Sequence, residues 1–182
     1  TEKKKKHPIK TIKILCSNKY FILITLAFAI IYTSLGLTGG SRIYYAKYVL
    51  GNEMINSTMT LFNYIPTILT IMLIPIFAKK FGKIKALFVG FLFYGAGLIL
   101  EIAGPVNLPM IYGGLVLQGI GHAALYSCLF AIVGDVVDYS EWKDGIREEG
   151  LTYSVTSFGQ KIGTGLGTAA LGWILAAGNY NG

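Results

Sequence analysis

Apolar residues run in five long stretches set apart by short polar ones, at about residues 20–40, 58–78, 86–103, 110–134 and 151–177. A helix rises about 1.5 Å per residue, so about 20 residues cross a hydrocarbon core of about 30 Å. The pattern predicts five transmembrane helices and an all-α, polytopic membrane protein.

The fifth stretch, LTYSVTSFGQKIGTGLGTAALGWILAA, carries a single formal charge, Lys161. Counted from Leu151, Lys161 lies about 15 Å along the axis, near mid-membrane. A lysine at that depth costs roughly 2.5 to 3.5 kcal/mol on insertion, so it is expected to face a partner or a wet cavity. Ser154, Ser157, Lys161, Thr164 and Thr168 follow at three- and four-residue steps and form one polar stripe. Gly159, Gly163 and Gly167 recur every fourth residue on the other side, where a neighbouring backbone can come close. The alternative is that the hydroxyls bond back to their own helix and Lys161 reaches out to an interface.

The fourth stretch holds a second stripe, Gln118, His122 and Tyr126, at steps of four. Such a stripe serves either a ligand or a neighbouring helix. In the second stretch Asn63, Thr67 and Thr70 share helical spacing, and Pro66 predicts a kink. Glu101, near the far end of the third, reads equally as an interfacial or a functional carboxylate. Tyr44, Tyr45 and Tyr48, beyond the first stretch, suit a membrane interface.

Composition agrees with a membrane chain: 53% of the 182 residues are hydrophobic, only 14% are charged, and 23 are glycine. The net charge of +7 lies mostly in short segments between spans, so it sets topology and does not imply nucleic acid. With a cytoplasmic N-terminus, inner segments hold thirteen of the sixteen Lys and Arg residues. Residues 1–19 then form a basic cytoplasmic linker and residues 179–182 an outer tail. Cys16 and Cys128 suggest neither a disulfide framework nor a metal cluster. No nucleophile with its base, phosphate loop or metal-ligand spacing is visible, so neither an enzyme nor a cofactor is expected. The chain begins at Thr1 rather than methionine and holds an odd number of spans, which suggests truncation at both ends.

The segment DVVDYSEWKDGIREEG resembles the signature of the glycoside-pentoside-hexuronide:cation symporters, the melibiose permease-like branch of the major facilitator superfamily. The matching residues are Asp135, Asp138, Tyr139, Glu141, Trp142, Gly145, Arg147, Glu149 and Gly150, with YYAKYVLGN from Tyr44 to Asn52 as a second match. The resemblance implies the C-terminal half of a twelve-helix fold, helices seven to eleven, with the last helix missing. It implies that Lys161 lies beside the coupling-cation and sugar sites. Tyr126 falls where the melibiose permease has a tryptophan near the sugar, so an aromatic platform is kept. Asp135, Asp138, Glu141, Arg147 and Glu149 match a cytoplasmic gate, whose alternative is a solvated loop with local ion pairs.

The expected function is symport of a sugar, a glycoside, pentoside or hexuronide, with sodium or a proton by alternating access. Substrate- or cation-site candidates are Lys161, Tyr126, His122, Gln118, Ser157 and Thr164. Expected partners are the lipid bilayer, a small sugar and a missing N-terminal six-helix half; the expected location is a bacterial cell membrane. The alternatives are a major facilitator transporter of another solute, such as an organic anion drawn by Lys161, and a transport-inactive membrane remnant.

Overall fold

The computed structural model describes residues 18–145, 147, 149–178 and 180. Most of the predicted basic linker, with Cys16, and most of the predicted outer tail lie outside the described residues. Among the described residues are six helices and no strand: α1 Lys19–Tyr48, α2 Ile55–Ile71, α3 Ile74–Phe81, α4 Lys83–Ala103, α5 Leu108–Asp144 and α6 Glu149–Ala177.

Two helices outrun their apolar stretches. The first passes residue 40 to reach Tyr48, and the fourth passes residue 134 to reach Asp144. Hydropathy falls at those points, but neither SRIYYAKY nor DVVDYSEWKD contains a helix breaker, so the backbone ladder continues into the polar zone. The predicted gate segment is therefore helix as far as Asp144. α5 stops where Gly145 takes φ 63° and returns its N–H to the Glu141 carbonyl at 3.0 Å. At the other end of the chain's first helix, Asn18 caps α1 by accepting the Tyr20 N–H at 3.0 Å.

Helix α2 runs unbroken through Pro66, the position where the sequence predicts a kink. Pro66 sits inside α2, and the 52° bend falls between Ile71 and Ile74. Around Pro66 the chain is held from α5: Asn63 Nδ2 donates to the Leu115 carbonyl at 3.1 Å, and the Thr67 hydroxyl donates to the Gly119 carbonyl at 3.0 Å. Pro75 instead occupies the first turn of α3, where a missing N–H is tolerated and a new helix starts readily.

Three helices, α1, α4 and α5, are long and apolar enough to cross a membrane, and the bent α2–α3 pair makes a fourth candidate. α6 has the length, 29 residues, but Gln160, Lys161 and its many Ser, Thr and Gly residues lower its hydropathy below the other four.

By their contacts the residues fall into two units, one of Thr1–Thr38 with Ile132–Gly182, the other of Gly39–Ala131. In the first, α6 lies backbone to backbone on α1. A Cβ on Gly163 or Gly167 would meet the carbonyl of Ala29 or Thr33 at under 3.0 Å, and one on Gly36 would meet the Thr164 carbonyl at 2.6 Å. Phe28, Val133, Val137, Thr152 and Thr156 fill the core beside this seam, and Asn18 bonds the buried Ser140 hydroxyl at 2.9 Å. In the second unit α4 and α5 approach as closely: Cβ atoms on Gly121 and Gly114 would lie 2.6 and 2.7 Å from the carbonyls of Gly90 and Gly97. Ile74, Ala86, Ala123, Ala124 and Cys128 make one buried cluster there, and Ala46, Met59, Ile111 and Leu115 another. Large apolar side chains such as Phe88, Leu92 and Ile99 point outward, as expected where the solvent is hydrocarbon.

Gly163→Ala is expected to destabilise the α1–α6 seam by about 1 to 3 kcal/mol, because backbone must move to admit the methyl. Gly165→Ala, where a Cβ meets nothing within 4 Å, is expected to be neutral or to stabilise by up to about 1 kcal/mol. Unfolding of the two variants in detergent compares them directly.

Candidate functional site

Helix α6 presents two faces. Gly159, Gly163 and Gly167 are buried against α1, while Ser154, Ser157, Lys161, Thr164 and Thr168 are exposed. Lys161 lines an open pocket of about 430 Å³ with Tyr153, Ser154, Ser157 and Phe158. It lies about 18 Å from the start of α6 and about 24 Å from its end.

The hydroxyls of the strip divide between the two sequence readings. Ser154 donates to the Gly150 carbonyl at 2.7 Å, Thr164 to Gln160 at 3.0 Å and Thr168 to Gly165 at 2.9 Å. These three bond back to their own helix, as their type does in apolar surroundings. Among the described residues Ser157 makes no such bond, and Lys161 makes no hydrogen bond or ion pair. Lys161 and Ser157, one turn apart, are thus the groups of this strip with unused hydrogen-bonding capacity.

The second strip lies on α5. Gln118 and His122 are 1% and 5% exposed, and Tyr126, half-buried, carries its ring 5.8 Å from the imidazole. The Tyr94 ring of α4 covers His122 from another side at 5.0 Å. Gln118 accepts a hydrogen bond from Arg42 Nη2 at 3.2 Å. Its own Nε2, His122 Nε2 and Glu101 Oε1 are buried with no partner. Glu101 belongs to the same strip, since a Cβ on Gly114, one turn before Gln118, would lie 2.9 Å from Glu101 Cγ.

Sequence reasoning gave Arg42 only a topological part and left Glu101 open. Arg42 lies just past the point where hydropathy falls, and its place inside α1 depends on the helix continuing. The absence of any stop signal in SRIYYAKY was the available clue. Nearby, Tyr45 donates its hydroxyl to the Pro105 carbonyl, and Lys47 pairs with Glu53 at 3.0 Å.

The gate candidates sit where α5 turns into α6. Arg147 bonds Asp138 at 2.9 Å, Glu141 at 2.6 Å and Glu149 at 2.5 Å. Asp135 lies on the same helix one turn before Asp138, exposed, and is not among the three acceptors. Hydrogen bonds that Arg147 donates to Glu141, Glu149 and Asp138 raise its pKa above the ordinary value. The guanidinium therefore stays charged at every working pH, and its contribution would fade only at very high pH, as that raised pKa is crossed. All four groups are solvent-exposed, so these are local ion pairs of small energetic weight. Among the described residues no three His, Cys, Asp or Glu side chains come together as metal ligands.

Long apolar helices seamed through glycines, with a lysine and two strips of polar groups held deep along them, define an integral membrane protein built like a transporter. The chain belongs to the MFS/sugar transport protein family, whose model matches residues 1–182, and within the major facilitator superfamily to the glycoside-pentoside-hexuronide branch. It is 30% identical over 182 residues to the isoprimeverose transporter of Lactiplantibacillus pentosus, covering 98% of this chain and 38% of that protein. It is 30% identical over 142 residues to the glucuronide carrier protein homolog of Escherichia coli, covering 77% of this chain and 31% of that protein. To the raffinose carrier protein of Pediococcus pentosaceus it is 26% identical over 164 residues, 89% of this chain and 25% of that protein. The chain thus spans well under half the length of the curated relatives it matches. No solved structure matches it significantly.

Replacing Arg147 with glutamine is expected to leave the unfolding temperature nearly unchanged, since the pairs it breaks are exposed. Amide hydrogen exchange at residues 141–150 should rise, because the side-chain tie between α5 and α6 is lost. Unchanged exchange there would show that Gly145 alone holds the turn.

Proposed function

We propose that this chain is the C-terminal part of a sugar:cation symporter of the bacterial cell membrane, working by alternating access. The observation that carries this reading is Lys161, an unpaired cation deep in α6, lining an open pocket with Ser157 beside it. Its exposure suits a site completed by other helices and by ligand, and relatives named for isoprimeverose, glucuronide and raffinose make a glycoside or hexuronide the fitting solute class.

In this reading α1, α2–α3, α4, α5 and α6 are five crossings, equivalent to helices seven to eleven of a twelve-helix fold, and the N-terminus is cytoplasmic. Ser157 and Lys161 face the sugar and the coupling sodium ion or proton, with Thr164 one turn further. Gln118, His122 and Tyr126 supply hydrogen bonds and an aromatic face. Asp135, Asp138, Glu141, Arg147 and Glu149 form the inner gate. A gate of charged groups acts by pairing differently in inward- and outward-open states, and only that difference shifts the balance between them. Each pair seen within this chain is exposed and weak, so exchanging partners costs little.

The test is Lys161→Ala in the transporter that carries this chain, reconstituted in proteoliposomes. Uptake of glycoside driven by an imposed sodium or proton gradient is expected to fall by at least about tenfold, on the scale of one charge-assisted contact. Full gradient-driven uptake by a correctly folded Lys161→Ala protein would overturn the assignment.

A further inference from the structure

The strip formed by Glu101, Gln118 and His122 remains incompletely bonded. Gln118 and His122 are each more than nine-tenths buried, yet Gln118 Nε2, His122 Nε2 and Glu101 Oε1 have no partner. Unpaired polar atoms in an apolar interior are costly and uncommon, so three along one strip need an explanation. Their order is regular: Glu101 abuts Gly114, and Gln118 and His122 follow at steps of four along α5. Arg42 donates to Gln118 Oε1 at 3.2 Å, which sets the amide with its NH2 end as the free end.

The free atoms specify what would satisfy them. One is an amide donor, one a carboxylate acceptor, and the third a ring nitrogen that donates or accepts according to tautomer. A hydroxyl donates one hydrogen bond and accepts others, so a single hydroxyl suits Gln118 Nε2 and Glu101 Oε1 together. A neighbouring hydroxyl suits His122. A carboxylate or sulfonate offers only acceptors; it would leave Glu101 Oε1 unpaired and set like charges side by side. The Arg42 charge does not reverse this preference, because Glu101 balances it within the same cluster.

We infer that Arg42, Glu101, Gln118 and His122 form a diol-binding subsite that favours a neutral sugar over an acidic one. Glu101 is its specificity-determining residue. Arg42 acts through Gln118 as a positioning residue. The inference rests on the sugar-transport reading above and deepens it by naming the preferred class of solute.

The probes are p-nitrophenyl β-D-glucoside and p-nitrophenyl β-D-glucuronide, which share a ring and differ in a CH2OH against a carboxylate. Each is measured as a competitor of glycoside uptake by the reconstituted transporter, and each by its stabilisation of the detergent-solubilised protein against heat, which needs no transport. The unsubstituted protein is expected to prefer the glucoside. Glu101→Gln keeps the size of the side chain and removes its charge, and is expected to shift the glucoside-to-glucuronide preference toward the acid by about tenfold. Arg42→Gln is expected to weaken both sugars while leaving the preference within about threefold. A merely structural Glu101 would change folding or total uptake and leave the ratio where it was. An unchanged ratio in Glu101→Gln, by either readout, overturns the inference while the sugar reading stands. Should that variant not fold, a glucuronide preference in the unsubstituted protein overturns it equally. Absence of uptake or stabilisation by any sugar in the unsubstituted protein overturns both.

Discussion

A polar group surrounded by hydrocarbon has no bonding partner but the protein itself, and that constraint arranges every helix of this chain. On α6 it separates a glycine face, pressed on α1, from a face that carries Lys161. On α2 it turns Asn63 and Thr67 inward to carbonyls of α5. On α5 it collects Gln118 and His122 in the interior. Outward positions are left to phenylalanine, leucine and isoleucine.

The two solutions to the constraint differ in what they allow. Glycine seams bring backbones so close that dispersion and carbonyl contacts hold the helices without any polar side chain. Threonine and serine bonding back to their own helix satisfy themselves and leave little for a ligand. Against that background the groups with unused capacity stand apart: Lys161 and Ser157 in one unit, Glu101, Gln118 and His122 in the other. Transport needs such groups, because a solute crossing the membrane must find replacements for its water.

Much of this was legible in the chain itself, because the membrane imposes periods that a sequence records directly. The four-residue repeat of Gly159, Gly163 and Gly167 predicted the seam on α6, and the spacing of Gln118, His122 and Tyr126 predicted the α5 strip. Less legible were features set by tertiary contact. Pro66, the kink expected from sequence, lies within an unbroken α2 whose Asn63 and Thr67 bond to α5, and a 52° bend falls further on, between Ile71 and Ile74. Two helices run on where polarity rises without a stop signal, which brings Arg42 into α1. Glu101 was visible as a carboxylate near a span end, but only the close approach of Gly97 and Gly114 places it beside the α5 strip.

The most direct test of the account is the solvent access of α6 in the membrane. Single cysteines at Ser157, Thr164, Leu166 and Thr156, in a protein whose Cys16 and Cys128 are replaced by serine, sample its polar strip, its outward apolar face and its α1 seam. The account predicts that a membrane-impermeant thiol reagent labels positions 157 and 164, that sugar slows labelling at 157, and that 166 and 156 stay unlabelled. Equal labelling on all sides, or none at 157 with or without sugar, would contradict a helix whose Lys161 face lines a path for solute.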